Sequence, residues 1–326
     1  MTDPASSSSA APLTQTPNDA GSPLLRLGTR SSALARWQAE WVAARLTDCG
    51  VRIQLVPIAT KGDVTSGPLG SMGQQGLFTK EIQRALLAGE IDLAVHSLKD
   101  LPTDPVPNLI LAAVPPREKN RDVLVSPRAA TLEDLPPGAR VGTGSIRRRA
   151  QLLHLRPDLT VLDIRGNVDT RLRKLDEGQY DAILLAEAGL LRLGLAHRMT
   201  QVIPPTSMLP AAGQGALGIE SRADDAATRQ VLTALDDPDT HHSVLAERVL
   251  LATLRAGCLA PVGAWARVVG GSLQLDAVVL SSDGTERLAR SASGPPAAAE
   301  QIGAQVAAEL LAAGADRLIA TARQSV

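Results

Sequence analysis

Arg140-Val-Gly-Thr-Gly-Ser-Ile-Arg-Arg-Arg-Ala-Gln-Leu-Leu-His-Leu, residues 140–155, decides how the chain reads. Residues 140–142 predict a short strand, and residues 145–155 a helix that opens from a small-residue turn. Downstream, 160–164 reads as a strand, 167–175 as a helix and 181–186 as a buried strand. Strands alternating with helices argue for parallel βαβ units. The same alternation runs upstream. Residues 24–28 read as a strand. A helix over 32–49 follows, with Leu34, Trp37, Trp41 and Val42 at helical spacing and Gly50 as its stop. Residues 51–58 alternate as a strand should, and a helix at 79–88 precedes a strand at 91–95. Between them, 69–77 carries Gly70, Gly73 and Gly76 and reads as a mobile loop.

Two Pro-rich interruptions divide this α/β pattern: Pro102, Pro105, Pro107, Pro115 and Pro116, then Pro204, Pro205 and Pro210. From about His241 the grouping changes. A helix at 243–254 leads to a Gly-Cys turn, three short strands (262–269, 272–280, 286–289) and a helix at 297–313. This is an α+β arrangement. The fold class is therefore α/β with two doubly wound lobes plus a small α+β C-terminal domain. The expected division is a tail at 1–23, a first lobe from 24–115 and 211–235, a second lobe at 116–210 and a C-terminal domain at 236–326. No internal sequence repeat is visible.

Composition narrows the function. A chain of 326 residues supports more than one core. With three Trp, one Tyr and one Phe, those cores must be built from Leu, Val and Ala. Net charge is −1, whereas a general nucleic-acid binder is usually basic, and so few aromatics count against stacking on single strands. The two cysteines form no C-x-x-C, and the His residues lack ligand spacing, so neither a disulfide framework nor a zinc site is supported. Cys49 reads as a packed thiol. Residues 1–23 have Asp3 and Asp19 as their only charged side chains and no apolar stretch. They read as a disordered tail rather than a signal peptide. No run approaches the ~18 apolar residues of a membrane span. The cytoplasm is the expected location.

Three constellations can carry chemistry. Between Arg140 and Lys174, nine cations face only Asp158, Asp163 and Asp169. Arg149, Arg156 and Arg173 read as solvated helix faces. Around Gly142-Thr-Gly-Ser-Ile-Arg-Arg, exposed N–H groups at a helix start suit an anion. In Arg165-Gly-Asn-Val-Asp-Thr-Arg, Arg165 follows a strand and Arg171 lies on the next helix. An anion site and plain surface charge both remain open from composition alone. Lys99 and Asp100 end an apolar strand, where open α/β sheets bind ligands. They can grip an anion and move a proton, or form an ordinary loop ion pair. His96, within the strand, reads as a core histidine. Cys258, beside Gly257, is either an accessible nucleophile or a buried structural thiol. Gly213-Gln-Gly-Ala-Leu-Gly matches a dinucleotide fingerprint in letters only, because prolines precede it and strand-like 217–221 follows.

Taken together, Arg26-Leu-Gly-Thr-Arg-Ser-Ser-Ala-Leu-Ala-Arg-Trp-Gln, Gly76-Leu-Phe-Thr-Lys-Glu, Ala94-Val-His-Ser-Leu-Lys-Asp-Leu-Pro, Gly142-Thr-Gly-Ser-Ile-Arg-Arg, Arg165-Gly-Asn-Val-Asp-Thr-Arg-Leu, Leu209-Pro-Ala-Ala-Gly-Gln-Gly-Ala-Leu-Gly-Ile-Glu and Gly257-Cys258 resemble the motifs of the hydroxymethylbilane synthase (porphobilinogen deaminase) family, in family order. The resemblance runs from about residue 24 to the C-terminus. It implies two lobes like those of periplasmic binding proteins, with chain crossings at the Pro-rich interruptions, and a third domain bearing a cofactor on a cysteine. The implied reaction joins four porphobilinogen molecules head to tail into linear hydroxymethylbilane, releasing ammonia, on the route to porphyrins and haem. The implied primer is a dipyrromethane cofactor in thioether linkage to Cys258, which attacks an electrophilic azafulvene once and so needs no adjacent base.

The resemblance assigns roles residue by residue. Asp100 matches the catalytic carboxylate. Arg30, Ser32, Lys99, Arg147, Arg148, Arg165 and Arg171 match groups that hold substrate and cofactor carboxylates. Ser97, Thr143, Ser145 and Gln214 match polar contacts. Arg192 matches a further binding arginine, Gln38 is a weaker carry-over, and Phe78 is the implied cover over the pyrrole rings. A monomer is implied, with porphobilinogen as the small-molecule partner and neither nucleic acid nor membrane. Two positions depart from the pattern: Gln75 stands where many members have Lys, and Ala256 where Gly is common before Gly-Cys. Rival readings are a non-catalytic two-lobed binding protein, which leaves the Cys258 domain unexplained, an RNA-binding module on the Arg segment, and an inactive family member.

Overall fold

The computed structural model describes residues 24–59, 79–257 and 260–324. The chain begins Leu24–Thr29 (β1), Ala33–Asp48 (α1), Arg52–Pro57 (β2), Lys80–Leu87 (α2), Leu93–Ser97 (β3) and Leu109–Ala113 (β4). It continues Asp122–Val125 (β5), Arg140–Gly142 (β6), Ile146–Leu155 (α3), Thr160–Leu162 (β7), Val168–Asp176 (α4), Ala182–Ala186 (β8), Glu187–Arg192 (α5) and Gln201–Ile203 (β9). Then come Leu217–Arg222 (β10), Ala226–Leu232 (α6), Pro238–Thr253 (α7), Val262–Val269 (β11), Ser272–Leu280 (β12), Arg287–Gly294 (β13), Ala299–Ala312 (α8) and Ala315–Gln324 (α9).

Two five-stranded sheets follow one plan, β2-β1-β3-β10-β4 and β7-β6-β8-β5-β9. In each, three parallel strands meet an antiparallel strand that separates them from the fifth. The inserted strand is always the first after a crossing: β5 enters the second sheet after β4, and β10 returns to the first after β9. The sequence shows no repeat, yet the two lobes share a topology. Both sheet faces are covered. Leu93 and Val95 of β3 pack with Val42 and Leu46 of α1, while the intervening Ala94 packs with Ile82 and Leu86 of α2. Burial on both faces is why central strands such as β3 and β8 read as continuous apolar runs. The largest fully buried side chains are Leu and Ile.

The third unit is the antiparallel sheet β11-β12-β13 under α7, α8 and α9. Leu250, Val306, Leu310, Leu318 and Ile319 close over Ala264, Leu273, Leu275 and Ala277. It is an α+β unit, as expected. Helix α7 begins at Pro238, not near 243, because Asp237 caps it through the Thr240 N–H at 2.8 Å and proline tolerates the first helical turn. β13 runs on to Gly294, and α9 was not anticipated.

One carboxylate joins all three units. Glu247 of α7, wholly buried, accepts from Arg117 Nη1 (2.8 Å) and Nη2 (3.0 Å), from Gly213 N (2.7 Å) and from Ala266 N (2.7 Å). Arg117 lies on the first crossing, Gly213 on the second and Ala266 in β11. No described helix is long and apolar enough to cross a membrane.

Candidate active site

Helices α1, α3 and α4 each follow a parallel strand, and each is capped by a side chain. Ser32 Oγ accepts from Ala35 N, Ser145 Oγ from Arg148 N and Asn167 Oδ1 from Thr170 N. Capping fixes where each helix starts, and hence where the arginines of the first turns emerge. Thr143, the last residue before that turn, is buried, and its Oγ1 accepts from Ser145 N at 3.2 Å. Gly144 has no room for a side chain, since a Cβ there would lie 2.8 Å from Ile164 O.

From the first lobe, β3 ends at Ser97 in a 3-10 turn, Leu98–Asp100. Gln38, buried on α1, donates to Ser97 Oγ at 2.7 Å and so orients that hydroxyl. Asp100 is exposed, and Lys99 is half-buried. The Lys99 ammonium is pushed down to about 8 because protein surrounds it and displaces water. Asp100 and Asp122 oppose that shift, and Arg148 and Arg147 reinforce it. It is therefore largely charged below about pH 8 and neutral above.

The second lobe supplies the rest. Arg147 and Arg148 are both buried and both grip Asp122, itself without exposed surface. Arg147 reaches its two oxygens at 2.6 and 3.2 Å, and Arg148 Nε donates at 2.9 Å. Gln214 Nε2 adds a third partner at 2.9 Å. Burial alone would raise the Asp122 carboxyl, but the two guanidiniums win and hold it well below the usual carboxylate range. Arg171 donates through Nε to Gly166 O at 2.8 Å. Its charged form is disfavoured first by burial and then by Arg148 and Arg165, and favoured by Asp100 and Asp163. Arg165 pairs with Asp163 at 2.7 Å. Lys99, Asp100, Arg147, Arg148, Arg165, Arg171 and Gln214 thus form one electrostatic neighbourhood across the two lobes.

Arg192 sits apart. Buried, it donates to Gly215 O at 2.6 Å and lies over the Trp37 ring at 5.8 Å, clasping α5 of the second lobe to α1 of the first. Arg30 follows β1 directly. Arg156, read as surface charge, instead donates to the carbonyls of Leu132 and Leu135. His96 is buried, its Nε2 2.8 Å from Glu220 Oε2, as a core histidine should be. Gly213 and Gly215 serve packing. Both have positive φ, and a Cβ on Gly213 would meet Lys99 N at 3.1 Å, one on Gly215 Glu118 O at 2.4 Å. Ala256 keeps negative φ, so its methyl is tolerated, and Arg255 takes the left-handed position instead. Phe78, Gln75 and Cys258 lie outside the described residues. Asp122 was missed from sequence. The signal was a charged residue opening the apolar run Asp122-Val-Leu-Val.

Fold and site define a two-lobed α/β protein with a cluster of cationic side chains between the lobes and a third α+β unit docked at the crossings. Residues 25–230 match the family model "Porphobilinogen deaminase, dipyromethane cofactor binding domain", and residues 242–312 match "Porphobilinogen deaminase, C-terminal domain". The chain belongs to the porphobilinogen deaminase family. The porphobilinogen deaminase of Syntrophotalea carbinolica is 49% identical over 91% of this chain and 95% of its own. That of Desulforudis audaxviator is 51% identical over 91% and 97%. Among solved structures, the methionine binding protein MetQ aligns at 15% identity with a TM-score of 0.44, covering 65% of this chain and 89% of its own.

Proposed function

We propose that this chain polymerises four porphobilinogen molecules head to tail into linear hydroxymethylbilane, with Asp100 as its catalytic carboxylate. The observation carrying this reading is the cation cluster between the lobes, in which Lys99 feels Asp100, Arg147 and Arg148, and Arg171 feels Asp100, Arg148 and Arg165. Each porphobilinogen ring bears two carboxylates, and guanidinium forks suit carboxylates.

The residues also fit a dipyrromethane. Arg147 Nε and Gln214 Oε1 are buried without a protein partner among the described residues, one donor and one acceptor in a cationic setting. Bound in thioether linkage at Cys258, the group supplies a covalent primer from which the chain grows. Lys99, Arg147, Arg148, Arg165 and Arg171, with Arg30, hold carboxylates of primer and substrate. Ser32, Ser97, Thr143, Ser145 and Gln214 add neutral contacts, and Phe78 covers the rings. Asp100 transfers a proton at the aminomethyl nitrogen as its C–N bond breaks and ammonia leaves. As the carboxylate it then stabilises the cation left on the substrate. Arg192 acts here as part of the wall between lobes. We further infer a monomer acting in the cytoplasm, with lobes over 24–115 plus 211–235 and 116–210 and a cofactor-bearing domain over 236–326.

The test is the denatured intact mass of the wild type beside Cys258→Ala. The expected wild-type mass exceeds the chain by two linked pyrrole units, and the excess is absent in the variant. A bare chain mass after incubation with porphobilinogen overturns the reading in favour of a two-lobed binding protein.

A further inference from the structure

We infer that Asp122 is a positioning residue for the anion site: fixed inside the second lobe, it presets Arg147, Arg148 and Gln214 and holds the cleft ready to receive carboxylates. This rests on the reading that those arginines bind carboxylates of porphobilinogen or its primer. The geometry is specific. Oδ1 accepts from Arg148 Nε, Gln214 Nε2 and Arg147 Nη2, and Oδ2 from Arg147 Nη1 at 2.6 Å. Backbone carbonyls complete the fixation, Leu209 O for Arg147 and Leu184 O for Arg148. With these bonds made, Arg147 Nε and Gln214 Oε1 remain buried without a protein partner among the described residues. Two buried cations on adjacent residues repel, and one carboxylate between them lets both stay charged in place. A buried carboxylate that holds three side chains from two chain segments orients them before any ligand arrives.

Asp122 also faces Lys99 electrostatically. The charged groups acting on that ammonium are Asp100 on its own turn, Asp122 on β5, and Arg147 and Arg148 on α3, with Arg171 and Arg165 beyond them. Asp122 is one of two carboxylates holding the ammonium charged, so its removal moves the Lys99 titration to lower pH.

Asp122→Asn deletes the charge while keeping size and one acceptor. Its KM for porphobilinogen is expected to rise about 10-fold or more. The pH midpoint for acylation of Lys99, read by peptide mass mapping, is expected to fall below that of the wild type. Asp122→Glu restores the charge, so the midpoint returns to that of the wild type while KM stays raised. A wild-type KM and midpoint in Asp122→Asn overturn the inference. If that variant does not fold, Asp122→Glu carries the test: a raised KM supports the inference and a wild-type KM overturns it. Arg148→Leu run alongside separates the two ideas. If it leaves KM unchanged, the carboxylate-binding reading has failed, and the Lys99 midpoint alone decides for Asp122.

Discussion

Asp100 stands one residue past Lys99 on a turn pinned from two sides. Leu98 N donates to Ala216 O, and Arg248 of α7 donates to Leu101 O and Pro102 O. A carboxylate held on so short a turn cannot be replaced by a neighbour. Asp100→Asn keeps the shape and removes the titratable carboxyl group. We predict a fall in kcat of about 10²–10⁴-fold with a much smaller change in KM, measured by steady-state turnover of porphobilinogen. A kcat near wild type would move the proton-transfer role elsewhere. At this scale the sequence exposed the groups proposed to bind carboxylates, because Lys99-Asp100 and Arg147-Arg148 sit where a strand gives way to a turn or helix. It did not expose the groups behind them. Asp122 lies 25 and 26 residues from its arginines and 92 from Gln214. Arg192 shows the converse: its local motif is plain, but its partners Trp37 and Gly215 are brought to it only by the fold.

Among the elements, the loop entering β10 leaves little room for a side chain. Gly215 has φ +85 and offers a Cβ only 2.4 Å from Glu118 O. Gly215→Ala therefore combines a left-handed alanine, about 1–2 kcal/mol, with a backbone clash between the two crossings. Urea unfolding is expected to show a lower midpoint by more than that conformational cost alone, and a loss near zero would mean the crossings slide freely. Strands β1, β2, β3, β6, β7 and β8 were legible because they alternate with helices in apolar runs. β4, β5 and β9 were not: each lies beside a proline-rich crossing. Prolines mark where the chain leaves a lobe, and they hide the strands flanking the exit. The last helix expected from sequence ends at 313, and Gly314, at φ +94, separates that helix from α9, which has no counterpart among the expected elements.

For the molecule as a whole, Glu247 ties both crossings to the C-terminal unit. Glu247→Ala leaves Arg117 buried without its carboxylate and is expected to cost about 3–5 kcal/mol, measured by chemical denaturation. Changing Arg117 to Met as well should recover only part of the loss, because Gly213 N and Ala266 N still lack an acceptor, each costing about 1–3 kcal/mol when buried. Full recovery would show that the ion pair alone matters. The exchanged strands have one more consequence, and it concerns time. Every strand of the second lobe lies between Asp122 and Ile203, so its sheet has all its strands as soon as this stretch has left the ribosome. The first lobe, begun earlier, must wait for β10 before β3 and β4 have a common neighbour. During synthesis the older half therefore carries an open seam in its sheet, a template for unwanted pairing. The younger half closes first.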